Sequence, residues 1–175
     1  MKDETQMKKL LPLALLLAPA ALFAHDTDDS VVTWRQIVGV ITAPNVDNPV
    51  AGISAGTLPW STHAGQARVN LATGETSFDV DGLVLNGGNA SGTPGPITGV
   101  TGTLVCNPGT DAQKNLNTHE VKLTAQGDAD FHGEISGIPT PCANPLFLVR
   151  IGPSFGVAGA VGRWLATGAV RTTSD

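Results

Sequence analysis

The sequence predicts an all-β fold: a single antiparallel β-sandwich or flattened β-barrel of seven to nine strands with one disulfide, a closed barrel being the alternative. Short runs rich in Val, Thr, Leu and Ile alternate with Gly, Pro, Asn and Asp, which is typical of antiparallel strands and turns. No stretch long enough for a helix repeats its apolar residues with helical spacing between capping residues. Cys106 and Cys142 are the only cysteines, and a lone pair predicts a disulfide in an oxidising compartment.

The N-terminal segment predicts export to such a compartment. Lys8 and Lys9 precede an apolar run, Leu10–Phe23, that is followed by the small residue Ala24, which is the pattern of a signal peptide. The run has about fifteen residues, whereas a membrane-spanning helix needs about twenty, so we expect no membrane span. The expected organisation is a signal peptide over residues 1–24 and a single all-β domain over 25–175, with 25–30 disordered and the periplasm or the medium as destination.

Eight strands are predicted along the domain, each from a run of apolar residues between turn residues. Residues 86–96 are too rich in Gly, Pro and Asn for a strand, and we expect a long loop there. Residues 43–63 are also irregular, but Ile53, Leu58 and Trp60 can pin that segment onto the end of a sheet. The strands are expected near residues 31–42, 66–72, 76–85, 97–106, 119–126, 129–136, 145–151 and 161–172.

The first predicted hairpin follows from the rule that directly opposed residues on antiparallel strands share a face. A four-residue loop places Val69 opposite Phe78 on the buried face and Arg68 opposite Asp79 on the exposed face. Farther along the return strand the apolar alternation shifts by one position, which predicts a β-bulge around Gly82.

The second predicted hairpin places Lys122 opposite His132 across a three-residue loop. Its return strand carries three carboxylates and an imidazole at every second position, so that they share one face. Such a face can form a hard-cation site, but Lys122 balances its charge, which favours a solvated sheet face instead. The candidate metal ligands on this strand are Asp128, Asp130, His132 and Glu134.

The same alternation predicts which side chains are buried and which face solvent. The residues expected in the core are Phe78, Val80, Val121, Leu123, Phe131, Phe147 and Val149. The residues expected to face solvent are Arg68, Asp79, Lys122 and Glu134.

The charge of the predicted domain limits its partners. The chain has 10 basic and 15 acidic residues; three of the basic and two of the acidic ones lie in residues 1–24, so seven basic and thirteen acidic residues remain. This balance disfavours binding to a nucleic acid backbone, and the scattered acidic residues act mainly in solubility. No motif indicates a phosphate loop or a zinc ribbon, and we expect no cofactor.

Two further features bear on function. The segment Gly52-Ile53-Ser54-Ala55-Gly56 matches the elbow that holds the nucleophile of many hydrolases, but Pro59 prevents the helix that must follow such an elbow. We therefore expect Ser54 to be a loop serine.

Cleavage of the signal peptide would make His25 the terminal residue, whose amine and imidazole can bind copper when a second histidine lies nearby. His25 is therefore a further candidate metal ligand.

Four segments carry a resemblance to known proteins: Ala67–Leu71, Leu104–Pro108, Cys142–Ile151 and Gly162–Gly168. In these segments the chain resembles a family of small exported bacterial β-domain proteins. The resemblance implies export and a compact β fold, and it carries no catalytic residues.

We therefore expect a non-enzymatic module, in the cell envelope or the medium, that binds a protein partner or a small ligand, because no nucleophile, base and orienting group come together in the sequence. A secreted hydrolase is the first alternative, and a metal-binding protein that uses His25 is the second. An interior filled with side chains would favour recognition at the surface, whereas an open, polar-lined cavity would favour an enclosed ligand or substrate.

Overall fold

The computed structural model describes residues 30–43, 46–155 and 159–173, which form an all-β fold as expected. The predicted signal peptide and His25 lie outside the described residues. No helix in the described ranges is long and apolar enough to cross a membrane. The strands in these ranges are β1 (Val31–Gly39), β2 (Trp60–Ser61), β3 (Ala64–Asn70), β4 (Glu75–Asp81), β5 (Val84–Leu85), β6 (Gly99–Cys106), β7 (Lys114–Asn117), β8 (Val121–Lys122), β9 (Ala129–Glu134), β10 (Leu146–Ile151) and β11 (Trp164–Thr173).

Nine of these strands form one antiparallel sheet that curls into a half-barrel. The order of the sheet is β7-β6-β10-β11-β1-β3-β4-β9, and β8 also pairs with β6, while β2 and β5 form a separate two-stranded sheet. The segment before β1 is tied to the sheet at Ser30, whose hydroxyl donates to Asn70 Oδ1 (2.9 Å).

Aromatic side chains fill the concave face of the sheet. The ring of Phe78 on β4 lies 5.6 Å from that of Phe131 on β9 and 5.5 Å from that of Phe147 on β10. Because β11, β1 and β3 separate β10 from β4 in the sheet order, the contact between Phe78 and Phe147 requires the curl. Trp34 on β1 lies 5.6 Å from Phe147 and extends the cluster. Side chains therefore pack the concave side of the half-barrel.

The convex side of β6 and β10 is covered by residues 46–59, here called the crossing segment. Gln113, just before β7, donates to the carbonyl of Ala51 (2.8 Å), and the indole of Trp164 in β11 donates to the carbonyl of Asn48 (3.1 Å). Since β6 and β10 lie between β7 and β11, the segment passes over both strands. This cover explains why every residue of β6 is buried.

Most of the burial predictions are confirmed. Of the expected core residues, Phe78, Val80, Leu123, Phe131, Phe147 and Val149 are buried, and Val121 is only half-buried. Of the residues expected to face solvent, Arg68, Lys122 and Glu134 are exposed and Asp79 is half-buried. In the irregular segment over residues 43–63, Ile53 and Trp60 are buried, but Leu58 is 47% exposed. The predicted disulfide between Cys106 and Cys142 is confirmed.

The predicted register of the first hairpin is wrong by two residues. Ala67, not Val69, lies opposite Phe78. The turn is set by Asn70, whose Oδ1 accepts hydrogen bonds from the N–H groups of Ala72 (2.9 Å) and of the residue after it (3.1 Å), so the loop begins one residue earlier than predicted. A shift of two residues leaves every side chain on its expected face.

The predicted bulge around Gly82 is also wrong. Strand β4 ends at Asp81, and the chain turns at Gly82, where φ is 63°, before it enters β5 of the small sheet. The shift in apolar alternation therefore marks a change of sheet.

The predicted strand pairing of the second hairpin does not form. Strand β8 pairs with β6, where Lys122 lies opposite Gly99, and β9 pairs with β4, where His132 lies opposite Ser77. The chain does turn between β8 and β9, where the N–H group of Thr124 donates to the carbonyl four residues later (2.9 Å), but no ladder continues from this turn, because the two strands pair with different neighbours. Lys122 is therefore not opposite His132 and cannot balance the charge of β9 in the predicted way.

Candidate functional site

The four candidate metal ligands on β9 and its preceding turn do not converge. Asp128 stabilises the turn between β8 and β9. Its Oδ1 accepts a hydrogen bond from the N–H group of Gly82 (3.0 Å), and its Oδ2 accepts one from Thr124 Oγ1 (3.3 Å). His132 Nε2 lies 3.4 Å from Asp130 Oδ2, and both side chains are largely exposed. Glu134 is exposed farther along the strand.

These positions give the metal hypothesis no geometric support. Within the described ranges, no group of three or more His, Cys, Asp or Glu side chains is arranged to hold a metal ion. His25 lies outside those ranges, so the proposed copper site at the mature N-terminus stays a prediction.

Ser54 is bonded to a carboxylate. Its hydroxyl donates to Asp47 Oδ2 (2.8 Å), whereas an activated serine needs a base, usually a histidine, in that position. Just before Ser54 the chain makes a tight turn, in which Val50 and Ile53 exchange both backbone hydrogen bonds, and just after Ser54 the next residue, Ala55, bridges Trp164. Ser54 therefore lies between a tight turn and a bridge to β11, and not in the strand-turn-helix context of a hydrolase elbow.

Arg150 on β10 is a half-buried cation held by backbone carbonyls. Its Nε donates to the carbonyl of Gly162 (2.8 Å) and its Nη2 to that of Val161 (2.9 Å). In the described part of the chain, no carboxylate forms an ion pair with it. Burial lowers the pKa of Arg150 below its ordinary value, but arginine stays protonated at neutral pH. Arg150 is therefore a positive charge for which the described residues supply no counter-ion.

Arg163, on the approach to β11, lines the same groove as Arg150. Its Nη1 donates to the carbonyl of Ala55 (2.8 Å) and lies 3.9 Å from Asp47 Oδ1, and its side chain is 48% exposed. The groove has a volume of about 330 Å³. It is here called the two-arginine groove, and its lining residues are Gly52, Ile53, Ser54, Arg150, Val161, Gly162 and Arg163.

The two-arginine groove has the chemistry of a small-anion site. A guanidinium carries five N–H donors, and only two of those of Arg150 and one of those of Arg163 are used in the hydrogen bonds above. The planar fork of the remaining donors matches the oxygens of a carboxylate or a phosphate. The hydroxyl of Ser54 also lines the groove, but its one proton is donated to Asp47.

Both arginines were missed as site residues in the sequence. Arg150 interrupts the otherwise apolar strand Leu146–Ile151, and a charge inside a strand that is buried on both faces is a signal that could have identified it. Arg163 carries no such signal, because it reaches the groove only through the pairing of β10 with β11, in which Arg150 lies opposite Trp164.

The fold itself carries no functional assignment, because one architecture hosts many activities. The resemblance to small exported bacterial β-domain proteins stays a prediction. Function is therefore inferred from the two-arginine groove. Comparison of the chain with protein-family models, with curated proteins and with solved structures finds no match.

Proposed function

We propose that this protein is a non-enzymatic binding module that holds a small organic anion in the two-arginine groove. The observation that supports the proposal is Arg150, a half-buried guanidinium with backbone carbonyls but no carboxylate beside it in the described residues. Removing a charge from water is costly unless the charge is paired, and the guanidinium of Arg150 is partly removed from water. A bound anion would supply the negative charge that Arg150 lacks, and Arg163 would donate hydrogen bonds to the same anion.

The proposed place of action is the periplasm or the medium. The predicted signal peptide supports it, and so does the disulfide between Cys106 and Cys142, since disulfides persist mainly in oxidising compartments. The packed concave side of the half-barrel favours a ligand held at the surface. The partner of this module is then a small molecule that reaches the groove from solution.

Acetate titration followed by NMR of the arginine Nε–H resonances tests the proposal on the purified oxidised protein. Ionic strength is held constant with chloride, so that general screening does not change. The resonances of Arg150 and Arg163 are expected to shift saturably, because acetate accepts hydrogen bonds from their guanidinium groups. The resonance of Arg68, exposed on β3, is expected not to saturate.

Two variants complete this test. Arg163→Gln is expected to weaken acetate binding about tenfold, since one charge-assisted hydrogen-bonding group is lost. Arg68→Gln, the matched control, is expected to leave the affinity unchanged. Shifts that grow linearly at all three arginines, or an unchanged affinity in Arg163→Gln, would contradict the proposed function.

A further inference from the structure

A second groove joins the two-arginine groove at Arg163. It has a volume of about 410 Å³, within the roughly 300–1,000 Å³ typical of small-molecule sites. Arg163 forms part of both walls, so a ligand held at the guanidinium can continue into this second groove. Its lining residues are Val46, Asp47, Ala55, Gly56, Thr57, Leu58 and Arg163.

The second groove presents apolar side chains to solvent. Val46 is 60% exposed and Leu58 is 47% exposed. Ile41, which is 84% exposed, is held nearby, because its carbonyl accepts a hydrogen bond from Asn48 Nδ2 (3.4 Å). Exposed apolar side chains that gather around a groove mark a binding surface.

The charges around Arg163 select the head group of the ligand. Asp47 lies 3.9 Å from Arg163 and cancels part of its charge, while Arg150 has no carboxylate partner in the described ranges. Two guanidinium groups and one carboxylate leave a net charge of one positive unit, which complements a monoanion. A carboxylate is a monoanion at neutral pH, whereas inorganic phosphate carries more charge.

We infer that the ligand is a carboxylic acid with an apolar alkyl chain, whose carboxylate lies between Arg150 and Arg163 and whose chain lies along Val46 and Leu58. The inference rests on the proposed function, since it identifies the substrate class of the same site. A small molecule fits better than a membrane surface, because membrane-binding surfaces gather several Lys and Arg residues, whereas this chain has a net charge of −5 and Asp47 lines the groove.

Titration with acetate, butyrate, hexanoate and octanoate, below micelle-forming concentrations, tests the inference. The affinity is expected to rise about two- to fourfold per added methylene until the groove is filled. Leu58→Asn is expected to lower octanoate affinity about fivefold and to lower acetate affinity by a much smaller factor, because it removes apolar contact with the alkyl chain. The matched control is Val170→Asn, which changes a valine on β11 that is 56% exposed outside the groove and is expected to have no effect.

The outcomes separate this inference from the proposed function. Equal affinities for acetate and octanoate, or octanoate binding that Leu58→Asn does not change, would overturn the inference and leave the anion site standing. Octanol binding as tightly as octanoate would overturn the carboxylate assignment. Absence of saturable binding by every carboxylate would overturn both. A protein that sediments with phosphatidylglycerol vesicles, but does not bind octanoate, would also overturn the inference. If Leu58→Asn abolished that sedimentation, the surface would be assigned to a membrane.

Discussion

Thr101 on β6 carries a buried hydroxyl oxygen that lowers the stability of the fold. It lies on the convex face of β6, opposite Arg150, and is fully buried. Among the described residues, its Oγ1 is the one buried side-chain polar atom without a hydrogen-bond partner. Burying a hydroxyl without a partner costs about 1–3 kcal/mol, so this position lowers the stability of the fold.

Thr101→Val is expected to raise the free energy of unfolding by about 1 kcal/mol, because valine keeps the shape and removes only the unpaired oxygen. Urea denaturation measures the change. Thr103→Val is the matched control on the same face of β6. The Oγ1 of Thr103 donates a hydrogen bond to Asn117 Oδ1 (2.7 Å). The free energy of unfolding of the control is therefore expected to fall by about 1 kcal/mol. A loss of stability in both variants would contradict the role assigned to Thr101.

Among the elements, β9 carries charge in an unfavourable register. Glu134 lies directly opposite Glu75, and Asp130 lies directly opposite Asp79. Like charges in directly opposed positions destabilise a strand pair. Strand β9 ends the order of the sheet, and charged side chains on an edge strand discourage pairing with a second chain. This carboxylate pattern is therefore better explained by protection of the edge than by a ligand.

Glu134→Gln is expected to raise the free energy of unfolding by about 0.5 kcal/mol at low ionic strength, because it removes the repulsion from Glu75. The gain is expected to shrink in high salt, which screens charges on the surface. Thermal unfolding at two salt concentrations measures both effects. Asp111→Asn, in an exposed loop, is the control that is expected to change little. A lower stability of Glu134→Gln at low salt would contradict the prediction.

Strands with one apolar face could be predicted, and polar or long-range features could not. In β4, Phe78 and Val80 alternate with polar residues, so both the strand and its buried face were expected. Strand β7 (Lys114–Asn117) is short and mostly exposed, so no apolar alternation marks it. The groove was missed for a related reason: Arg150 and Arg163 meet through strand pairing and the crossing segment, which local patterns do not encode.

For the whole molecule, the disulfide is expected to contribute much of the net stability. Cys106 and Cys142 are separated by 36 positions, and opening a loop of that length in the denatured state is expected to lower the free energy of unfolding by about 4 kcal/mol. Urea denaturation with and without a reductant measures the loss, and mass analysis after alkylation verifies that both thiols are free. A loss below about 1 kcal/mol would contradict the loop-entropy account.

The position of β11 between β10 and β1 determines when the sheet can assemble. Strands β1 and β11 are the first and last strands of the described sequence, yet they are neighbours within the sheet, with Val32 opposite Thr173. Without β11 the half-barrel would separate into β7-β6-β10 on one side and β1-β3-β4-β9 on the other. Joining these pieces closes a very long loop, and the entropy of that closure slows folding. A nascent chain must therefore wait for the synthesis of β11 before the half-barrel can assemble.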